Sequence, residues 1–263
     1  MHAKSNLQEY EVTIMADERD SLTNQNQTNF DQQNKHQTSI RAGLLAIVSL
    51  AVILGLLWPV GGNNRGRGHR TICRNNVKQI LLALLNYESI HHALPPAHTV
   101  DANDSPLHSW RTLILPMIGE QELYDSIDLS KPWDDPVNAI ARKARVDTFR
   151  CPATACPENF TTYLAVVTPD SCLQDHEARH LAEIKQSYSQ TVMILEVVSK
   201  NAVPWMSPQD AGEELLMGFG PKTVLPHQVG PTAGMLDGHV DSLMPTMPAP
   251  VRRKLISATI DDR

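Results

Sequence analysis

The sequence predicts an α+β protein, with a single N-terminal transmembrane helix followed by a helix packed on a small, mostly antiparallel sheet. Three observations predict this class. Residues 42–60 are an uncharged apolar run, residues 71–92 repeat apolar side chains at helical spacing, and three later segments have strand or hairpin patterns. A long helix followed by a group of short strands is typical of α+β domains.

Residues 1–41 are predicted to be a disordered polar tail. They are rich in Asn and Gln and show no apolar periodicity. Such a segment cannot bury enough apolar surface to offset the conformational entropy lost on folding.

Residues 42–60, AGLLAIVSLAVILGLLWPV, are predicted to be the transmembrane helix, which makes the lipid bilayer the expected partner of this segment. Nineteen uncharged residues span roughly 28 Å as a helix, close to the hydrocarbon thickness of a bilayer. Trp58 is placed like an interfacial anchor. A cleavable signal peptide is the alternative, but such a peptide begins near the N-terminus and a polar tail precedes this run.

The charges on either side of this helix leave its orientation open. Residues 61–80 contain five Lys or Arg and no acid, a flank expected to contact anionic lipid head groups. A literal positive-inside count would place the following domain in the cytoplasm. Residues 81–263 carry 14 basic and 23 acidic residues, so no basic face for nucleic acid is expected there.

Residues 61–70 are predicted to be a Gly/Arg-rich linker, because glycines weaken a helix. The folded domain then spans residues 71–263 and opens with a helix from Thr71 to His92. Pro95 ends this helix. Its apolar side chains recur three and four residues apart and share one face: Cys73, Val77, Ile80, Leu81, Leu84 and Tyr87.

The rest of the domain is predicted to consist of short elements. Residues 110–118 read as a buried strand or a short helix entering a turn. Residues 161–167 and 191–198 are β-branched runs of strand length. Residues 234–243 contain Asp237-Gly238 between apolar residues, which favours a two-residue hairpin.

The four cysteines, Cys73, Cys151, Cys156 and Cys172, show no spacing typical of a metal site. Three full disulfide pairings are possible. Disulfides are expected if the domain is exported, and small buried thiols if it is cytosolic.

His176-Glu177-Ala178-Arg179-His180 matches H-E-x-x-H, the motif of zinc peptidases. On a helix the two histidines would share a face and bind zinc, with Glu177 as general base. The surrounding stretch is strongly polar and the third ligand is missing, although Glu196 is a distant candidate. A membrane-tethered metallopeptidase using His176, Glu177 and His180 is therefore the alternative function.

Two further groups carry ligand chemistry but favour structural roles. His91, His92 and His98 could bind a metal, yet adjacent residues on a helix point about 100° apart. Asp128, Asp134 and Asp135 lack the alternation of a calcium loop and are predicted to be turn residues. No catalytic, cofactor-binding or metal-binding residue is assigned, no cofactor is expected, and no small-molecule substrate is identified.

Several consecutive stretches resemble one bacterial family, the pilin-like membrane proteins abundant in planctomycetes and known as domain of unknown function 1559. They occur in the family's order from about residue 70 to 245. The matching stretches are residues 73–80, 86–87, 94–96, 109–116, 123–124, 131–136, 149–152, 161–167, 196–197, 203–205 and 236–240.

The resemblance implies a membrane helix and an extracytoplasmic α+β domain similar to type II secretion pseudopilins, which favours a cytoplasmic N-terminus. The family's prepilin signal, with its glutamate after the leader, is absent where the apolar run begins at Arg41-Ala42-Gly43. We therefore expect a single-pass, non-catalytic envelope protein outside any filament, with other envelope proteins as partners.

Overall fold

The computed structural model describes Lys35 and residues 43–45, 47–53, 64–225, 227 and 229–259. The chain divides into two units, residues 1–62 and residues 63–263. Apart from Lys35, the predicted tail 1–41 lies outside the described residues.

In the first unit, residues 43–45 and 47–53 are helical and exposed. The other residues of the predicted segment 42–60, including Trp58, lie outside the described part. No helix among the described residues combines the length and the apolar character needed to cross a membrane.

Helix α1, Asn64–His91, is the longest helix of the second unit. Its predicted face is confirmed, since Cys73, Val77, Ile80, Leu81 and Leu84 are fully buried and Tyr87 packs against them. The predicted linker 61–70 is wrong over residues 64–70, because α1 already begins at Asn64. Helix propensity is a weak prior that tertiary contacts override.

The basic residues of α1 contact the sheet, and one of them, Arg70, lies in the part of the helix that was predicted to be linker. Arg70 donates to the Ser242 hydroxyl at 3.2 Å, Arg74 donates to the Val240 carbonyl, and Lys78 donates to the Gly238 carbonyl at 2.5 Å. These three side chains were predicted to contact lipid head groups. They instead fasten the helix to the edge of the sheet.

The described residues of the second unit form eight short strands, in one four-stranded sheet and two strand pairs, all antiparallel. The sheet has the order β4-β5-β7-β8. This confirms the α+β class with a mostly antiparallel sheet. The strands are β1 His98–Val100, β2 Pro106–Ser109, β3 Phe160–Thr161, β4 Tyr163–Ala165, β5 Val192–Glu196, β6 Val203–Pro204, β7 Thr232–Met235 and β8 Val240–Ser242.

The predicted hairpin is present, but its loop has three residues where two were predicted. Strands β7 and β8 pair Gly234 with Val240, and Met235 accepts and donates hydrogen bonds across the turn. Gly238 has φ 86°, the left-handed conformation that three-residue hairpin loops require of their last residue. The shift adds Leu236 to the loop.

Apolar side chains cover both faces of the four-stranded sheet. Helix α1 lies on one face, with Val77 and Leu81 against Gly234 of β7. Helix α5, Glu213–Gly218, contributes Leu216 to the cluster on the other face, and Ile256, just after helix α6, Ala249–Lys254, belongs to the same cluster. Strand β5 is therefore buried at all five positions, in agreement with the apolar run that predicted it.

The segment 110–118 is helical, the second of the two predicted possibilities. Helix α2 spans Trp110–Leu113. Its cap is Ser109, whose hydroxyl accepts the Arg111 N–H. A 3₁₀ turn follows at Leu115–Ile118 and ends at Gly119. The remaining short helices are α3, Gln121–Asp125, and α4, Ala139–Lys143.

Candidate functional site

Four buried side chains with metal-ligand or redox chemistry meet beneath α1. They are Cys73, Cys151, Glu196 and His227, and we call them the Cys-Glu-His cluster. Their exposed fractions are 0%, 2%, 1% and 5%. Among the described residues, this is the one group of three or more potential metal ligands whose ligand atoms converge, all lying within 4.8 Å of one another.

Each member comes from a different part of the fold. Cys73 lies on the buried face of α1, and Cys151 follows the 3₁₀ turn Asp147–Phe149. Glu196 is the last residue of β5, and His227 lies in the connection from α5 to β7. Asn76, one turn beyond Cys73, donates to the Arg150 carbonyl at 2.7 Å and so holds the second cysteine beside the helix.

Cys73 and Cys151 form a disulfide, with their Cα atoms 5.2 Å apart. That Cα separation lies in the ordinary range for disulfides. Cys156 and Cys172 are free thiols, so none of the three full pairings is made. Burial raises the pKa of Cys172 to about 12, which makes it a poor nucleophile.

The other half of the cluster is a histidine and carboxylate pair. His227 Nε2 lies 3.4 Å from Glu196 Oε1 and 3.6 Å from Cys151 Sγ. Glu196 Oε2 accepts the Thr232 N–H at 3.3 Å. Oε1 is buried and has no hydrogen-bond partner among the described residues. One carboxylate oxygen is therefore satisfied, and the other points at the histidine and the sulfur atoms.

Tyr163 adds to the polarity of this region, because it pairs with Glu196 across strands β4 and β5. Burial raises the pKa of the Tyr163 hydroxyl, and the negative charge of Glu196 raises it further. The phenol therefore stays protonated and contributes no charge to the cluster.

Chemically, this arrangement has two uses. Oxidised, it is a structural cross-link beside a buried histidine and carboxylate. Reduced, it offers two thiolates, an imidazole and a carboxylate, which are the ligand types that zinc takes in proteins. The H-E-x-x-H motif is not part of this cluster.

The H-E-x-x-H stretch is not helical, so its histidines lack the shared face that the motif needs. Arg179 within it is bridged to Leu94, and each backbone N–H donates to the other's carbonyl. His176 lies beside Asp175, whereas the His180 ring contacts the His92 carbonyl at 2.7 Å. The motif lies in an irregular connection that packs against the end of α1.

His91, His92 and His98, the other histidines considered from the sequence, each have different contacts and do not form a metal site. His91 stacks on Tyr87, with ring centroids 4.0 Å apart, and His98 lies 3.4 Å from Asp175. The backbone of His92 has a positive φ of 61° and ends α1. His91 and His92 fit the predicted polar end of the helix, whereas His98 begins strand β1.

The three aspartates considered for calcium lie in turns. Asp128 accepts the Ser130 N–H at 3.0 Å, and Asp135 accepts the Val137 N–H at 2.9 Å, which caps a 3₁₀ turn. Asp134 contributes its carbonyl to Arg142. The structure therefore gives Asp128 and Asp135 local side-chain bonds of the kind that turns use.

A second buried ionic group, Arg111 with Asp210, is structural. The two side chains are 0% and 4% exposed and lie 2.7 Å apart. Arg111 also donates to the carbonyls of Trp205, Ser207 and Gln209. Every direction of the guanidinium is thus occupied by protein, which leaves no side open to a ligand.

Sequence reasoning missed the Cys-Glu-His cluster. His227 was not considered, and Glu196 was considered only as a distant partner of H-E-x-x-H. The four ligands are spread from position 73 to position 227, so no short spacing could reveal them. The available signal was a glutamate inside an otherwise apolar strand, because a buried carboxylate needs a partner.

Comparison with known families matches residues 65–191 to the family described as Protein of unknown function (DUF1559). The match covers α1 and the strands through β4, and it ends just before β5. No curated protein and no solved structure matches the chain.

Proposed function

The chain belongs to the DUF1559 family through residues 65–191, and on that premise we propose that it is a membrane-anchored, non-catalytic protein of the cell envelope. Residues 42–60 anchor it in the bilayer. The pilin-like α+β domain lies outside the cytoplasm, where it has a structural role or binds other envelope proteins.

The observation that carries the anchor is the exposure of apolar side chains along residues 43–45 and 47–53. Seven of them, Leu44, Leu45, Ile47, Val48, Leu50, Val52 and Ile53, are 51% to 68% exposed. Burying a fully exposed side chain of this kind is worth about 1.5–3 kcal/mol. Because these seven are about 60% exposed, moving all of them into lipid is worth roughly 6–13 kcal/mol. A bilayer supplies that environment.

The polar residue in this stretch fits the same environment. Ser49 donates its hydroxyl to the Leu45 carbonyl at 2.8 Å, one turn back along the helix. In lipid every polar group must find a partner within the protein, and this bond satisfies that condition.

The disulfide supports placement outside the cytoplasm. Disulfides form and persist in oxidising compartments and are rare in reducing ones. Cys73–Cys151 lies in the core of the second unit. An antiparallel sheet covered by one long N-terminal helix also supports the pilin-like assignment.

Fractionation tests the anchor. We expect the full-length chain to stay in the membrane pellet after an alkaline carbonate wash and to dissolve in detergent. Deleting residues 42–60 should release it. A matched control deletes residues 12–30, an equal length of the polar tail, and should stay in the pellet. Release of the full-length chain by carbonate would refute the anchor.

Thiol trapping tests the compartment. Cells are quenched with acid, free thiols are blocked, and disulfide-bonded cysteines are then reduced and labelled. We expect label on Cys73 and Cys151, with Cys156 and Cys172 blocked in the first step. Blocking of all four cysteines in the first step would contradict an oxidising location.

A further inference from the structure

The Cys-Glu-His cluster contains more ligand chemistry than a disulfide requires. Glu196 is 1% exposed, and its Oε1 has no hydrogen-bond partner among the described residues. Removing a carboxylate from water costs several kcal/mol unless a positive charge and hydrogen bonds compensate it. Glu196 Oε2 accepts one N–H from Thr232, and Oε1 faces His227 Nε2 at 3.4 Å without a hydrogen bond in the described part of the chain. A cation bound between these atoms would compensate the carboxylate, so the cluster is suited to one.

We propose that the reduced form of this chain binds one zinc-class divalent metal ion through Cys73 Sγ, Cys151 Sγ, His227 Nε2 and the Glu196 carboxylate. The disulfide and the bound metal are then two alternative states of the same cluster. The geometry of this site does not depend on the membrane anchor, whereas the redox state of its compartment decides between the disulfide and the metal.

Two of the separations in the cluster match a tetrahedral site. Zinc binds nitrogen and oxygen at about 2.0–2.2 Å and thiolate sulfur at about 2.3 Å. Tetrahedral angles then separate a nitrogen from an oxygen by about 3.4 Å and a nitrogen from a sulfur by about 3.6 Å. The measured separations are 3.4 Å from His227 Nε2 to Glu196 Oε1 and 3.6 Å from His227 Nε2 to Cys151 Sγ.

The two sulfur atoms are the part that must move. Thiolates on one zinc ion lie about 3.8 Å apart, far beyond a covalent S–S bond. Metal binding and the disulfide therefore exclude each other. The change needed is a small separation of the Cys73 and Cys151 side chains, while His227 and Glu196 stay in place.

The chemistry balances with a dithiol as reductant. The dithiol gives two electrons and two protons to the S–S bond, which breaks into two thiols, and the dithiol itself becomes a disulfide. On metal binding both thiols release their protons to solvent, and each sulfur donates an electron pair to the ion. His227 binds as the neutral imidazole, and Glu196 binds as the carboxylate. Exchange with the oxidised dithiol reverses the sequence: its disulfide accepts two electrons from the two thiolates and two protons from solvent, the Cys73–Cys151 bond forms, and the metal ion leaves to solvent.

Cobalt titration tests this site on the purified full-length chain in detergent. The chain is reduced with dithiothreitol, the reductant is removed without oxygen, and Co²⁺ is added. We expect the visible bands of tetrahedral cobalt with thiolate ligands, saturating at one ion per chain and bleached by one equivalent of Zn²⁺. The oxidised chain should show no bands. Absence of stoichiometric binding by the reduced chain would overturn the proposal.

Variants of the proposed ligands test which residues bind the metal. His227→Gln and Glu196→Gln should each weaken metal affinity at least tenfold, because even residues outside the coordination shell are worth about 10–100-fold. Both variants keep Cys73 and Cys151, so disulfide formation on reoxidation reports that they fold. Unchanged affinity in a folded His227→Gln chain would contradict the assignment.

Two controls separate this site from other ligands on the chain. Cys156→Ser removes a thiol outside the cluster, and the double variant His176→Gln with His180→Gln removes the H-E-x-x-H histidines. We expect full affinity and an unchanged spectrum in both. Loss of binding in the double variant would move the metal to the H-E-x-x-H motif and overturn the proposal.

Discussion

The Cys73–Cys151 cross-link makes the strongest stability prediction. The bond joins residues separated by 78 positions, so it restricts a large part of the unfolded chain. The chain-entropy relation gives about 4.5 kcal/mol at 25 °C for a loop of this length. A typical domain has a free energy of unfolding of about 5–15 kcal/mol. Replacing both cysteines with alanine should therefore remove a large share of the stability.

Guanidinium unfolding of the full-length chain in detergent, with a chelator present, measures this loss. Trp110 and Trp205 are buried in the second unit and report its unfolding by fluorescence. Cys172→Ala is the matched control, since it removes a fully buried sulfur that forms no disulfide. The reasoning fails if the double variant loses no more than twice the free energy lost by Cys172→Ala.

Three further perturbations have expected outcomes. Gly234→Ala should lower the free energy of unfolding by about 1–3 kcal/mol, since a Cβ there would lie 2.9 Å from Leu81 side-chain atoms. Arg111→Met should cost about 3–5 kcal/mol, because it leaves Asp210 buried and unpaired. Burial lowers the pKa of His108, so the unfolded chain binds more protons in acid and stability should fall below about pH 6.5. His108→Gln should reduce that fall.

Chemical unfolding at fixed pH checks the first two, and a series from about pH 7.5 to about pH 5.5 checks the third. Gly218→Ala is a control for Gly234→Ala, because a Cβ at Gly218 meets no atom within 4 Å. An equal cost at both glycines would contradict the close approach of α1 to β7. An Arg111→Met variant with an unchanged free energy of unfolding would contradict the second prediction. An equal fall of the free energy of unfolding with pH in the original chain and in His108→Gln would contradict the third.

The spacing of apolar residues along the chain predicted the helix and strands whose buried faces it reflects. The 3.6-residue periodicity identified the buried face of α1 because that face packs on one sheet. The apolar run at residues 191–198 predicted β5 because the strand is covered on both faces. The start of α1 was missed, because the prediction relied on the low helix propensity of glycine, and the contact of Arg70 with Ser242 of β8 is tertiary and leaves no local signal.

Sequence patterns did not predict the cluster, because its members come together only through the tertiary fold. Cys73 and Cys151 were among four equivalent cysteines, and His227 lies in a connection without a recognisable motif. H-E-x-x-H has the residue types of a zinc motif, but the stretch is not helical, so its two histidines do not share one face. Spacing carries information about ligands only where secondary structure fixes their directions.

Protease accessibility tests the central proposal, an anchored domain outside the cytoplasm, most directly. Spheroplasts of cells expressing the chain with an epitope at each end are treated with protease before and after lysis. The proposal predicts that the C-terminal epitope is lost from intact spheroplasts, while an N-terminal fragment that includes residues 42–60 remains. Survival of the C-terminal epitope until lysis would contradict it.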